Sequence, residues 1–207
     1  MSLIVAKFGG TSVADYAAMS RCADIILANP NTRVVVVSAS SGVTNLLVEL
    51  TQEQIGEERR MQLIKQIAHI QYQILDSLGS PQEVAARLDT VLSRISVLSE
   101  ELSKNRNKAR IDELLAQGEQ CSSALFAAVL REKGEAASAF DVRQVMRTDS
   151  HFGRAEPQIE TISLLAAEYL APLLSSQRIV TQGFIGADDA GATTTLGRGG
   201  VITLPPC

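Results

Sequence analysis

Apolar and polar residues alternate along this chain in blocks that read as strand, turn and helix. Ile4 to Phe8 is a short apolar run ended by Gly9-Gly10, and Asp15 opens a segment with apolar residues at 18, 22, 25 and 26. That spacing predicts a strand, a glycine turn and a helix. Arg33 to Ala39 contains four consecutive valines, the pattern of a strand covered on both faces in a parallel sheet. Ser40-Ser41-Gly42 breaks it before a helix that starts near Thr44. Two such units in succession predict an α/β domain whose loops lie at the carboxyl ends of parallel strands, where such sheets bind ligands.

Between Glu57 and Arg131 the strand pattern gives way to three helical stripes. The first carries Ile64, Ile67, Gln71, Ile74, Leu75 and Leu78, and the second Leu88, Val91, Leu92, Ile95, Leu98 and Leu102. The third carries Ile111, Leu114, Leu115, Leu125, Val129 and Leu130. The coiled-coil-like spacing of the first two lasts only about two heptads each, which predicts an inserted antiparallel helical layer. Alternation then resumes. Ala136 to Asp141 is a predicted strand, Glu156-Pro157 opens a helix running to about Leu174, and Arg178 to Gln182 is a further strand. Gly183 to Leu196 reads as a β-hairpin that turns at Ala187 to Gly191 and returns through Thr193-Thr194-Thr195.

Composition narrows the partners. With 19 basic against 23 acidic side chains the net charge is −4, and no Lys/Arg cluster offers the electrostatic footprint of a nucleic-acid binder. At 207 residues and 45% hydrophobic, the chain can bury the core of one domain or a little more. Its longest purely apolar stretch, Ala124 to Leu130, is far short of the ~20 residues that cross a bilayer, so no membrane partner is expected. The N-terminal residues lack the pattern of a secretion signal. Three widely spaced cysteines, Cys22, Cys121 and Cys207, form no metal-binding pattern, and a reducing cytoplasm is the expected compartment.

Four places carry residues suited to chemistry. Lys7-Phe8-Gly9-Gly10-Thr11-Ser12 sets a lysine and two hydroxyls around paired glycines at the end of the first strand. Glycines let backbone N–H groups approach phosphate oxygens, and the lysine adds charge where a transferred phosphoryl group becomes more anionic. The same pattern also describes a tight turn with a solvated lysine. Ser38 to Thr44 is a second small-residue loop, able to bind an anionic substrate or simply to cap the next helix. Gln117-Gly118-Glu119 lies inside a helix, with Glu119 along a largely apolar stripe or at its solvated edge. Gly118 costs that helix about 1 kcal/mol relative to alanine, which implies a close approach to its backbone. Gly197-Arg198-Gly199-Gly200 holds an arginine fork between glycines, a grip for a carboxylate. His151 reads as a loop histidine and Cys121 as a small core residue.

Taken together, Lys7 to Val13, Ser38 to Thr44, Gly118-Glu119 and Thr181 to Gly200 resemble the aspartate kinases of the amino-acid kinase family. The stretch from Phe140 to Pro157 resembles the monofunctional, lysine-sensitive aspartokinase III branch more than the forms fused to homoserine dehydrogenase. The resemblance covers residues 3–200. It implies a three-layer αβα fold, of which residues 1–200 would be the N-terminal, substrate-binding portion with an inserted helical layer. It further implies transfer of the γ-phosphoryl group of MgATP to the side-chain carboxylate of L-aspartate, giving 4-phospho-L-aspartate for lysine, threonine and methionine synthesis. Lys7 would be catalytic, with Gly9, Gly10, Thr11 and Ser12 around the phosphates. Ser38, Thr44, Glu119, Phe184, Arg198, Gly199 and Gly200 would bind aspartate, Glu119 facing its ammonium. ATP and Mg2+ are the implied cofactors, no residue is assigned to metal, and the family forms a homodimer through regulatory domains. Relatives that phosphorylate a glutamate derivative or a nucleoside monophosphate fit less well, because of the Lys-Phe-Gly-Gly-Thr-Ser start and the Gly118-Glu119 pair.

After Gly200 the resemblance stops. The family continues Ser-Asp-Tyr-Thr-Ala-Ala-Leu, and this chain reads Val201-Ile202-Thr203-Leu204-Pro205-Pro206-Cys207. A coding sequence for the former, read one base later, yields the latter, so a one-base deletion near the Gly200 codon is expected. On that reading residues 201–207 are an aberrant tail, and the nucleotide-binding remainder and ACT-type regulatory domains are absent. The chain would then show little or no turnover, at most binding aspartate, and would leave apolar sheet surface exposed.

Overall fold

A computed structural model describes residues 3–197. Four strands, β1 (Ile4–Phe8), β2 (Thr32–Val37), β3 (Ala137–Phe140) and β4 (Arg178–Gln182), form a parallel sheet in the order β1-β2-β4-β3. The all-valine run of β2 and the fully buried β4 occupy its centre, as strands apolar on both faces must.

The helices are α1 (Tyr16–Leu27), α2 (Val43–Leu50), α3 (Glu57–Ser77), α4 (Gln82–Lys104), α5 (Lys108–Glu132) and α6 (Ile159–Leu165). Asp15 caps α1 by accepting from the N–H of Ala18 at 2.7 Å, and Asn107 caps α5 in the same way. Short connections at 78–81 and 105–107 fold α3, α4 and α5 back on one another, the inserted helical layer that the stripes predict. From Ala116 to Leu130 every residue of α5 is buried. Such a helix must be surrounded, and α5 packs against α1, α2, α3, α4 and the sheet.

Strand periodicity sorts the two faces. Val180 joins Met19, Ile26 and Phe126 in the core under α1 and α5, where Phe8 stacks on Phe126 with ring centroids 5.9 Å apart. Its neighbour Ile179 points the other way, into a smaller core with Phe140, Val142 and Ile185 that Leu165, Leu170 and Leu173 cover. Helices on both faces of a parallel sheet make the architecture αβα. A separate antiparallel hairpin, β5 (Ile185–Ala187) with β6 (Thr193–Thr195), matches the hairpin read from sequence. The Asp188 carboxylate closes its turn by accepting from the N–H groups of Ala190 and Ala192.

One predicted element is corrected. The helix expected from Glu156 to Leu174 is α-helical only over Ile159–Leu165, then continues as a π turn at Ala166–Leu170 and a 3-10 turn at Ala171–Ser175. Its start is delayed because Glu156 and Pro157 bridge back to Asp149 and Thr148. Its end tightens at Pro172, which has no N–H for an α-helical ladder.

Candidate active site

Three loops meet at the carboxyl edge of the sheet because three adjacent strands run the same way. The N–H of Ser38 donates to the carbonyl of Phe8 at 3.1 Å, that of Gly183 to Val37 at 2.9 Å, and that of Ser41 to Gly10 at 3.1 Å. The Lys7 to Ser12 turn, the Ser38 to Thr44 loop and the Gly183-Phe184 corner therefore lie side by side. Gly10 has no room for a side chain: a Cβ there would stand 2.8 Å from the carbonyl oxygen of Ala39. Gly9 is different, since nothing of the protein lies within 4 Å of where its Cβ would be, and its φ of −79° suits any residue.

Helix α5 closes the floor of this edge. A Cβ on Gly118 would come within 2.7 Å of the Ala39 Cβ and 3.1 Å of Leu47 Cδ1, which is the close approach its position in a helix implies. One turn on, Ser122 Oγ donates to the carbonyl of Ser38 at 2.7 Å. Glu119 projects between these contacts and is 7% exposed. Burial pushes its carboxyl up to about 7, against the pull of its own N–H and that of Ala39. Among the described residues no lysine, arginine or histidine forms a salt bridge with it. The solvated-edge reading of Glu119 is thereby corrected: the stripe carries it inward.

The remaining expected residues take varied positions. Lys7 is exposed on β1, Ser38 is half-buried, and Thr44 is exposed in the first turn of α2 after Gly42 at φ 85°. Thr11 is exposed, whereas the N–H of Ser12 is already committed to the Gly9 carbonyl at 3.0 Å. Phe184 holds a left-handed φ of 68° and is 43% exposed, a strained aromatic at the rim. Arg198, Gly199 and Gly200, with the tail 201–207, lie outside the described residues. Two clefts of about 360 and 400 Å3 open elsewhere, along α4 and α5, and are lined by none of the expected site residues. Cys121 is buried with its thiol pushed up to about 12 by burial, which fits a core residue.

Sequence reasoning did not single out Asp112, and it named Ser40 only as one hydroxyl of the Ser38 to Thr44 loop. Asp112, 1% exposed on α5, accepts from the N–H of Gly153 at 2.8 Å and of Thr195 at 2.7 Å. Its position seven residues before Glu119, on the same helix face, was the available signal. Ser40 is 1% exposed, and its Oγ has no hydrogen-bond partner among the described residues.

A model described as the amino acid kinase family matches residues 2–201. The chain belongs to the amino acid kinase family. Within that family it is 48% identical over 198 residues to lysine-sensitive aspartokinase 3 of Escherichia coli (strain K12), covering 96% of this chain and 44% of that protein. It is 29% identical to bifunctional aspartokinase/homoserine dehydrogenase 2 of the same organism, covering 94% of this chain and 24% of that one. The crystal structure of E. coli aspartokinase III in complex with aspartate and ADP matches with a TM-score of 0.93 at 47% identity, over 96% of this chain and 44% of that one. The chain thus spans less than half the length of these relatives.

Proposed function

We propose that this chain carries the aspartate-binding side of an aspartate kinase, which moves the γ-phosphoryl group of MgATP to the side-chain carboxylate of L-aspartate. The observation that carries this reading is Glu119, a buried carboxylate at the loop edge with no ion-pair partner among the described residues. A substrate ammonium would supply that partner, and a relative is known in complex with aspartate and ADP. In the reaction a carboxylate oxygen of aspartate attacks the γ-phosphorus. The bond to the β-phosphate oxygen breaks, and ADP leaves with the electron pair. The nucleophile is already ionised, so no general base is needed. Both reactants are anionic, so positive charge and positioning do the catalytic work. Lys7 meets the phosphoryl group in transit, with the Gly9-Gly10 backbone and Thr11 beside it; open space at Gly9 leaves a phosphate room to approach. Ser38, Thr44 and Phe184 line the aspartate pocket, and Arg198 with Gly199 and Gly200 grips a substrate carboxylate.

Magnesium, when bound, neutralises the nucleotide phosphates. Among the described residues no group of three acidic, histidine or cysteine side chains is arranged to hold a metal, so no ligand is assigned to it. In the cell this reading places the chain in the cytoplasm and in lysine, threonine and methionine synthesis. The homodimer would form through regulatory domains outside the matched region.

Ile202 stands where the family has its aspartate and Val201 where it has its serine, which favours a chain that binds aspartate with little or no turnover. Incubation with L-aspartate, MgATP and hydroxylamine, with aspartyl hydroxamate as readout, is expected to give little product. Saturable aspartate binding is expected under the same conditions. Rapid hydroxamate formation would contradict the account of residues 201 and 202, and absence of aspartate binding would contradict the substrate.

A further inference from the structure

Helices α4 and α5 leave a groove between them, away from the loop edge. It comprises two clefts of about 360 and 400 Å3, and Arg87 and Gln120 line both, so the clefts meet at that pair. Four arginines reach the groove: Arg87 and Arg94 from α4, Arg131 from α5 and Arg143 from the turn after β3. They are scattered along the sequence, and it is the fold that gathers them.

These cations are unequally satisfied. Arg143 grips both oxygens of Asp141, Nη2 on Oδ2 at 2.6 Å and Nε on Oδ1 at 2.9 Å. Arg94 pairs with Glu113 at 2.6 Å, a carboxylate that Arg110 also holds at 2.7 Å. Arg131 donates to the carbonyl of Ala137 at 3.1 Å. Arg87 is the exception. Glu83 lies one turn before it on α4, yet among the described residues Arg87 forms no salt bridge, and its Nη2 donates only to the neutral Oε1 of Gln120, at 2.8 Å. Most of the donors of its fork are left open toward the groove.

The floor beneath this arginine is polar and fixed. Gln120, Ser123 and Gln182 are all buried. Gln182 Nε2 donates to Ser123 Oγ at 2.7 Å, and its Oε1 accepts from the N–H of Val142 at 2.8 Å. Rigid amide and hydroxyl groups below an open cation, in a concavity of this size, make a small-molecule site rather than a packing surface.

We propose that the α4–α5 groove binds a small organic polyanion, held through its carboxylate or phosphate oxygens by the fork of Arg87. A guanidinium presents parallel N–H groups to such an edge. More than one negative charge is favoured because the cleft along α4 has three arginines against Glu113 alone, and Glu113 is already shared between two guanidiniums. The site stands independently of the aspartate reading above.

The test is an NMR titration of the 207-residue chain with citrate and, separately, with pyrophosphate, at constant ionic strength so that screening does not change. Saturable shifts are expected at the Arg87 Nε–H and at the Gln120 and Gln182 side-chain amides, with a dissociation constant of about 1 mM or tighter for at least one probe. Saturating L-aspartate is expected to leave that constant unchanged. Arg87→Gln removes the fork, and Thr90→Glu keeps it but sets a carboxylate one turn away on the exposed face of α4; each is expected to weaken binding about tenfold or more. The choice of probe decides between carboxylate and phosphate ligands. No saturable shift with either probe, shifts spread equally over Arg21 and other surface arginines, competition by L-aspartate, or unchanged affinity in both variants would overturn the proposal.

Discussion

Glu119 ties the stability of the chain to pH. Its folded pKa of about 7 lies above the ordinary value of 4.5, so the folded chain holds the proton more tightly than the unfolded one. The buried acid therefore contributes fully below about pH 4.5, and that contribution is lost as pH rises through about 7. Glu119→Gln is expected to leave stability unchanged near pH 4 and to raise it by about 3 kcal/mol at pH 8, read from urea unfolding at the two pH values. Equal effects at both would show that the carboxyl is not desolvated. The helical stripe placed Glu119 in sequence but left its exposure open, because a stripe edge fits a buried or a snorkelling carboxylate equally well. Gln71 is the reverse case. Its place in the α3 stripe is legible and it is 0% exposed, yet nothing in the pattern shows that its amide finds no partner among the described residues.

At the scale of elements, α5 and the Ser38 loop act as one unit through Gly118. Gly118→Ala would gain helix propensity of about 1 kcal/mol, but its methyl would lie 2.7 Å from the Ala39 Cβ, against a backbone held by Ser122 and Gly10. Overpacking wins, and a net loss of about 1–3 kcal/mol is expected in thermal or urea unfolding, together with weaker aspartate binding. A stabilised Gly118→Ala protein would mean that the loop yields. The strands, the three long helices and the hairpin were legible because hydrophobic period and turn residues agree there. The Ile159–Ser175 segment was not. Its apolar spacing is helical, while its start is governed by a long-range bridge to Thr148 and its end by Pro172. Asp112 was hidden for a related reason: its partners are backbone N–H groups far away in sequence, which leave no residue signature.

Over the whole molecule, topology does what no single motif can. Parallel strands put the ends of β1, β2 and β4 at one edge, so motifs at residues 7–12, 38–44 and 183–184 converge although long helices separate them in sequence. The opposite end of the sheet is closed by Arg178, 4% exposed, whose guanidinium donates to the carbonyls of Asn29 and Ile26 and pairs with Glu135 at 3.1 Å. Among the described residues β1 is an outer strand; Val5 on it and Leu3 just before it are each 55% exposed. On the function proposed above, the loop edge is an aspartate site and Glu119 is the partner of the substrate ammonium. Calorimetric titration of L-aspartate at pH 8 into the 207-residue chain, beside Glu119→Gln, tests it most directly. Saturable binding by the parent chain and a loss of about 10- to 100-fold in the variant are expected. No saturable binding by the parent, or equal affinity in the two proteins, would contradict it.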